Sequence, residues 1–187
     1  MNKSNRLTNL VLDAIHRQDS KALKQHSHEL NLWILEQGDI SESLFKALAS
    51  ILGQGEFHGM QDSFYLIKVF EDNLEYLSAP QRAALLAEIE MSYAYFVDET
   101  SCLLLAELAA ALFADERSLQ TLRRLRRAKD EMPRAIVASG LEHFVRSCAD
   151  SSLVAQAKKE LREMQADPSS LVQSEAAQSL SRIDASA

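Results

Sequence analysis

Two histidines and a carboxylate, His26, His28 and Glu29, form the grouping that most invites a metal interpretation. Side chains two positions apart on a helix point about 200° apart around its axis, so His26 and His28 cannot hold one ion together. A metal site needs several ligands that converge on one point, and the chain lacks zinc-ligand spacing. Solvated helix faces account for these residues and for the solitary His58 and His143. The sequence therefore predicts no metal site.

Motifs for catalysis are also absent from the sequence. It contains no Gly-rich phosphate loop after a strand, no HExxH and no GxSxG. Asp98 and Glu99 are adjacent carboxylates, but they stand at a predicted helix start, where negative charge is favoured by the helix dipole. We therefore predict a protein that is not an enzyme and that uses no cofactor.

One strongly basic run, RRLRRAK at 123–129, could contact phosphate. Arg123 and Arg127 share a helix face, with Arg124 and Arg126 beside them. Two acidic residues follow the run, and no aromatic side chain lies nearby to stack on an exposed base. A solvated or ion-paired helix surface is therefore the favoured interpretation. Nucleic-acid binding through Arg123, Arg124 and Arg127 is the alternative.

The composition predicts a single helical domain. The 187 residues are 47% hydrophobic and 25% charged, with only five glycines and three prolines, and strong helix formers dominate. A formal net charge of −7 argues against a surface built to neutralise phosphate. It favours a basic protein as partner.

The cysteines and the apolar runs indicate a cytoplasmic protein. Cys102 and Cys148 stand among apolar neighbours on predicted helices, where an unpaired thiol usually packs as a small hydrophobe. The longest apolar run, 102–114, is too short to span a bilayer and contains Glu107. The N-terminus lacks the pattern of a secretory signal.

Helix starts are clearly marked in the second half of the chain. Four residues are placed to act as N-caps, namely Ser78, Asp115, Asp150 and Asp167. Gln81 completes a capping box with Ser78. Pro168 follows Asp167 at what should be the first helical position, where its missing N–H costs nothing. The pair Asp167-Pro168 therefore predicts a helix start.

These starts recur with a regular period, which predicts three helix pairs. Pro80, Asp115 and Asp150 follow one another at intervals of 35 residues, and Asp184 closes the next interval at 34. The predicted pairs are 80–96 with 99–113, 115–129 with 132–147, and 150–165 with 168–183. Their second helices align so that three sets of apolar residues correspond: Leu104, Val137 and Val172; Leu108, Leu141 and Ala176; Leu112, Val145 and Leu180. Residues four positions apart form the stripe that a helix buries.

The last helix resembles the second helix of a HEAT repeat. The matching residues are Asp167, Pro168, Val172, Ala176, Ala177, Leu180 and Ile183. Gln173 stands where the family has an arginine, and Ser179 where it has an alanine. The resemblance covers about residues 80–184. It implies an α-solenoid, a HEAT-like right-handed stack of about five antiparallel helix pairs, in which second helices line a concave binding face and first helices form the convex back.

The first 79 residues are expected to form divergent N-terminal helices of the same domain. Helices are predicted at about 5–17, 20–36, 41–52 and 61–77. A glycine-rich segment, 53–60, separates the third helix from the fourth. It is either an irregular connection or a binding loop, and Phe57 within it is either an interface anchor or a buried plug.

The resemblance leads to a predicted function in protein binding. Polar residues of the second helices should face the concave side, and they are Glu107, Glu142, His143, Arg146, Glu175 and Gln178. With Phe57, they are the predicted partner-binding residues. A mostly acidic groove suits a basic protein, so an immunity protein that neutralises a toxin is one expected role. An adaptor or assembly chaperone is the second. A nucleic-acid-binding protein related to HEAT-like DNA alkylpurine glycosylases is the third.

Overall fold

The structure is a computed structural model of the chain, and it describes residues 3–186. Within that range every regular element is a helix, which confirms the all-α prediction. The α-helices are α1 Lys3–His16, α2 Ser20–Gln37, α3 Glu42–Leu52, α4 Gly55–His58, α5 Phe64–Asp72, α6 Ala79–Ser92, α7 Glu99–Ala111, α8 Glu116–Leu125, α9 Glu131–Ser147, α10 Ser151–Met164 and α11 Ser170–Asp184. Two short 3-10 helices lie at Leu74–Tyr76 and Tyr93–Tyr95.

Three of the four predicted N-caps are confirmed. Ser78 and Gln81 form a reciprocal capping box at the start of α6. The Asp115 carboxylate accepts the backbone N–H of Arg117 at 2.9 Å. The Asp150 carboxylate accepts two backbone N–H groups in the first turn of α10. Side-chain oxygens thus satisfy amides that have no partner within the helix.

The prediction for the last helix start is wrong by two residues. Helix α11 begins at Ser170, and its N-cap is Ser169, which has extended backbone angles. Asp167 still accepts the N–H of Ser169 at 2.9 Å. Its carboxylate is also held by Arg134, which donates from Nε and Nη2 at 3.0 and 3.1 Å. A tertiary partner therefore fixes Asp167 outside the helix.

The chain divides into two compact units, residues 1–104 and 105–187, and the division falls within α7. The sequence analysis treated the chain as one domain with a change in character after residue 79. In the first unit, α2 packs on α1 and α5, while α3 packs on α1 and α6. The predicted helix at 61–77 is shorter in the structure, because α5 begins at Phe64 and gives way to a 3-10 turn after Asp72. The glycine-rich segment contains the one-turn helix α4.

The second unit stacks two helix pairs in the same order. Helix α8 packs on α9, and α10 packs on α11. The first helices of the pairs, α8 and α10, are in contact, and so are the second helices, α9 and α11. Arg134 and Asp167 meet where α9 and α11 begin, and Glu142 and Arg182 meet further along both helices. The two second helices therefore run in the same direction, whereas a solenoid along the whole chain stays a prediction.

The aligned apolar stripe is largely buried. Six of its nine residues are buried: Val137, Val172, Leu108, Leu141, Ala176 and Leu112. Leu104, Val145 and Leu180 are half-buried. At Gly140 the helices pack closely, because a Cβ there would lie 2.8 Å from the carbonyl oxygen of Ala106 in α7 and 2.9 Å from Leu122 in α8. The absence of a side chain lets these backbones approach.

Among the described residues, no helix is both long and apolar enough to cross a membrane.

Candidate protein-binding surface

Glu142, at the centre of the predicted acidic face, is buried and fully engaged by cations. Its Oε1 accepts a hydrogen bond from Arg146 at 2.6 Å, and its Oε2 accepts one from Arg182 at 2.8 Å. Arg182, which comes from the neighbouring α11, is not among the residues predicted for this face. This clasp joins α9 to α11 and neutralises the carboxylate. Glu142 therefore stabilises the second unit and contributes little negative charge to its surface.

The other predicted residues of this face are spread over the second helices. Glu107, His143 and Glu175 are half-buried, and Gln178 is exposed. Gln178 donates to the hydroxyl of Ser174 at 3.2 Å. Of these residues, Glu142 and Arg146 form an ion pair with each other. That these residues together line a concave groove remains a prediction.

Phe57, the remaining predicted partner-binding residue, is completely buried. Its ring packs edge-on against Phe96 with centroids 5.7 Å apart. Of the two alternatives, a buried plug describes the structure, because the one-turn helix α4 directs the ring into the core of the first unit. Phe57 therefore supports the surface at 95–97 from inside and cannot contact a partner directly.

The basic run forms a ladder between first helices. Arg123 donates to Glu160 at 2.8 Å and to Gln156 at 2.9 Å. Arg126 donates to the same Glu160 at 2.5 Å and to Glu163 at 3.2 Å. Each of these pairs joins residues one repeat apart in sequence. The ion pairs support the interpretation of this run as a paired helix surface.

Arg124 and Arg127 are the exposed arginines of the run. Nucleic-acid binding was predicted to use Arg123 together with Arg124 and Arg127. The guanidinium of Arg123 lies on the α10 side of α8, where it is committed to Glu160. Phosphate would have to compete with that carboxylate for Arg123.

No group of three or more His, Cys, Asp or Glu side chains within residues 3–186 is arranged to hold a metal ion. The grouping that most invited a metal interpretation is that of His26, His28 and Glu29. The only approach between members of this set is His26 Nδ1 to Glu29 Oε2 at 3.6 Å, which is a loose pair on one helix.

A surface that the sequence analysis did not identify lies at 91–99. Met91, Tyr95 and Val97 have 63%, 66% and 65% of their surface exposed, more than the other exposed large hydrophobic residues within the described range. Glu90, Asp98 and Glu99 flank them in the sequence. We call these six residues the Tyr95 surface. Aromatic and Met side chains are common at the centres of protein interfaces, and charged residues are common at their rims.

His58 was expected on a solvated face, but it is buried and holds Tyr95 in place. Its ring stacks on Tyr95 with centroids 5.6 Å apart, and it also contacts Phe96 at 4.9 Å. Its Nε2 lies 2.5 Å from the carbonyl oxygen of Leu52, and its own carbonyl accepts the N–H of Val97. One face of Tyr95 is therefore supported while the residue as a whole stays exposed. A supported aromatic loses little conformational entropy on binding.

A hydrogen-bonded chain fixes the acidic side of the same surface. Asp98 accepts both the N–H and the hydroxyl of Ser101 at 2.7 Å. The hydroxyl of Ser101 lies 2.6 Å from that of Ser63, and both serines are buried. Asp98 thus acts as an N-cap for α7 and is tied to the start of α5. Glu99, the next residue, is exposed.

The charge pattern of the sequence carries a signal for this region. Between Arg82 and Arg117, seven residues are acidic and none is Lys, Arg or His. They are Glu88, Glu90, Asp98, Glu99, Glu107, Asp115 and Glu116. Their combined charge equals the net charge of the chain. A search for segments without cations would have drawn attention to 91–99, although it would not have revealed which apolar residues are exposed.

The Tyr95 surface has the composition of a small protein interface. Its apolar side chains can be desolvated by a partner, and its carboxylates attract cations. Nothing in its composition supplies a nucleophile paired with a base.

Comparison with protein-family models, with curated proteins and with solved structures finds no match for this chain.

Proposed function

We propose that this protein is a non-catalytic binding module that docks a basic protein through the Tyr95 surface. The observation that carries the proposal is the high exposure of Met91, Tyr95 and Val97 within a segment that has carboxylates and no cations. Burying apolar side chains favours association by roughly 25 cal/mol per Å² of apolar surface before the entropic and desolvation costs of binding are subtracted. The flanking charges steer the encounter and reject acidic partners.

A basic toxin is the narrower partner class, and an immunity protein is the corresponding role. The support for it is the net charge of −7 and the concentration of negative charge around the exposed apolar residues. Adaptor or chaperone function uses the same surface and the same chemistry. Neutralisation of a toxin differs from both because binding must abolish an activity of the partner.

Site-specific photocrosslinking in the native host cell tests the proposal. A benzophenone amino acid replaces Tyr95, and the same replacement at Lys159 is the control, because that side chain is 75% exposed and lies in the second unit. A third replacement at Glu175 tests the predicted α9–α11 face. We expect a crosslinked protein of basic composition from position 95 that is absent from position 159.

The isolated partner then allows a quantitative test. Tyr95→Ser should weaken binding by about tenfold or more, as is usual for an aromatic interface anchor. Glu99→Lys should slow association and reduce its salt dependence, whereas Glu36→Lys on α2 should do neither. Crosslinks at position 95 that match those at 159, or a partner that is itself acidic, would refute the proposal. A specific crosslink from position 175 alone would move the binding surface to the sequence-predicted face.

A further inference from the structure

A cleft between α2 and α5 in the first unit has the features of a small-molecule site. Its volume is about 230 Å³. Lys24, Ser27, His28 and Asn31 line it from α2, and Tyr65 and Lys68 from α5. We call it the α2–α5 cleft.

Ser27 is the observation that points to a ligand. It is only 2% exposed, it lines the cleft, and its hydroxyl has no hydrogen-bond partner among the described residues. A helical Ser or Thr commonly donates to the carbonyl four residues earlier. Thr8 does so to Ser4 at 3.0 Å and Ser92 to Glu88 at 2.8 Å. Ser27 does not, so its buried hydroxyl lacks a partner at the wall of the cleft, and a buried polar group without a partner is costly.

The charges of the cleft favour one negative group on the ligand. Lys68 is already paired with Glu71 at 3.2 Å and with Asp72 at 3.1 Å. Lys24 is held over the ring of Tyr65 with Nζ 5.2 Å from its centroid. Within residues 3–186 no carboxylate lies close enough to Lys24 to form an ion pair, so its ammonium group is the available positive charge. A cation placed over an aromatic ring is oriented without being neutralised.

The walls of the cleft are fixed by hydrogen bonds between α2 and the end of α5. The side-chain amide of Asn31 donates to Asp72 at 2.9 Å. The buried amide of Asn73 donates to the side-chain oxygen of Asn31 and to the carbonyl of Val69 at 2.7 Å. Since Asn31 and Asp72 also line the cleft, its shape is set before a ligand arrives. Such preorganisation reduces the entropic cost of binding.

We infer that the α2–α5 cleft binds a small organic monocarboxylate with an apolar body. The carboxylate pairs with Lys24 and accepts a hydrogen bond from the hydroxyl of Ser27. The apolar body contacts Tyr65 and Val69. This inference goes beyond the proposed function, because the cleft is built from α2 and α5 and contains no residue of the Tyr95 surface.

Nuclear magnetic resonance titration of the full chain with benzoate tests the inference. Benzyl alcohol and benzylamine are probes of similar size without the negative charge, and inorganic phosphate tests the other common anion. We expect saturable shift changes at residues of α2 and α5 with benzoate, much weaker ones with benzyl alcohol, and none with benzylamine. The absence of saturable shifts with benzoate, equal binding of benzoate and benzyl alcohol, or tighter binding of phosphate would overturn the inference.

Variants separate binding from structure. Lys24→Gln should weaken benzoate binding by about tenfold, while Lys21→Gln, an exposed lysine on the same helix, should leave it unchanged. Ser27→Ala should weaken binding by about threefold or more without lowering thermal stability, because it removes a buried hydroxyl that has no partner. Ser27→Ala with unchanged benzoate affinity would count against the inference. Both variants should bind the protein partner as the unaltered chain does.

Discussion

At the scale of single residues, most buried polar groups of this protein hold the structure together. Glu142 joins two helices, Ser63 and Ser101 connect α5 to α7, and His58 supports Tyr95. Each has partners that satisfy it, which is the usual condition for polar groups in a core. The hydroxyl of Ser27 has none among the described residues, and the same holds for Ser118 Oγ, His26 Nδ1 and Asn73 Oδ1. Ser27 differs from those three residues because it lines the α2–α5 cleft.

Cys102 should be chemically inert in the folded protein. Burial, followed by the charges of Asp98 and Glu99, raises the pKa of its thiol to about 12. Only the thiolate reacts with alkylating agents. In a Cys148→Ala background, we expect iodoacetamide at pH 8 to modify Cys102 about a hundredfold more slowly than a cysteine introduced by Thr100→Cys, an exposed position two residues away. Comparable rates measured by mass spectrometry would contradict this assignment.

At the scale of elements, sequence patterns predicted those features that depend on near neighbours. The caps at Ser78, Asp115 and Asp150 were predicted correctly because the capping hydrogen bonds span only two or three residues. Asp167 has the same local pattern, but Arg134 binds it from 33 residues away. Local signals carry no information about such a partner. In the second unit, residues about one repeat apart in sequence, such as Arg123 and Glu160, are in contact, whereas the repeat itself stays a prediction.

Gly140 is required where α7, α8 and α9 meet. Gly140→Ala should favour the helix by up to about 1 kcal/mol through propensity, but its methyl group would press on the carbonyl of Ala106, a backbone atom that cannot simply rotate away. Overpacking of a core costs roughly 1–3 kcal/mol. We therefore expect a net loss of up to about 2 kcal/mol in the free energy of unfolding, measured by urea denaturation.

Gly55 provides the matched control for Gly140. A Cβ at Gly55 meets no atom within 4 Å, so Gly55→Ala should leave stability unchanged or raise it by less than about 1 kcal/mol. If the two substitutions changed the free energy of unfolding equally, the short contact between a Cβ at position 140 and the carbonyl of Ala106 would not be the cause of destabilisation.

Glu160 should be the central residue of the ladder between α8 and α10. Its carboxylate is 14% exposed and binds both Arg123 and Arg126. Glu160→Ala leaves those half-buried guanidinium groups without their shared partner, which should cost about 1–3 kcal/mol. Glu163, one turn later, is 45% exposed and pairs with Arg126. Glu163→Ala should therefore change the free energy of unfolding by only about 0.5 kcal/mol. If the two variants had the same melting temperature, Glu160 would not be the central residue of the ladder.

At the scale of the molecule, solvent exposure is the property that the sequence concealed. Residues 80–96 were predicted as one helix, in which Met91 and Tyr95 would lie one turn apart. In the structure α6 ends at Ser92, a 3-10 turn follows, and the chain becomes extended at Phe96. Tyr93 and Phe96 are consequently buried, whereas Tyr95 and Val97 are exposed. Composition could not distinguish these four residues, because their exposure depends on helices brought together from distant parts of the chain.

The whole molecule should be most stable between about pH 5 and pH 9. On the acid side, hydrogen bonds from Arg117 and Arg134 lower the pKa values of Asp115 and Asp167 below 3.8. The unfolded chain therefore binds protons more tightly at these carboxylates, and stability that is present above about pH 4 is lost as the pH falls. On the alkaline side, burial raises the pKa of Cys102 from 9.0 to about 12 and that of Tyr93 well above 10.0. The folded protein then retains protons that the unfolded chain releases, so stability declines as the pH rises above 9.

Urea denaturation of two variants across this pH range distinguishes the loss of stability at acid pH (the acid limb) from the loss at alkaline pH. Asp167→Asn should lower stability at pH 7 and flatten the acid limb, because the amide cannot ionise and loses the ion pair with Arg134. Cys102→Ala should leave the acid limb unchanged and reduce the alkaline loss, since the thiol that must ionise is gone while Tyr93 still contributes. If instead both variants kept the same pH profile as the unaltered chain, protonation of these two side chains would not be coupled to folding. The assignments of Arg134 as the partner of Asp167 and of Cys102 as a buried neutral thiol would then both be wrong.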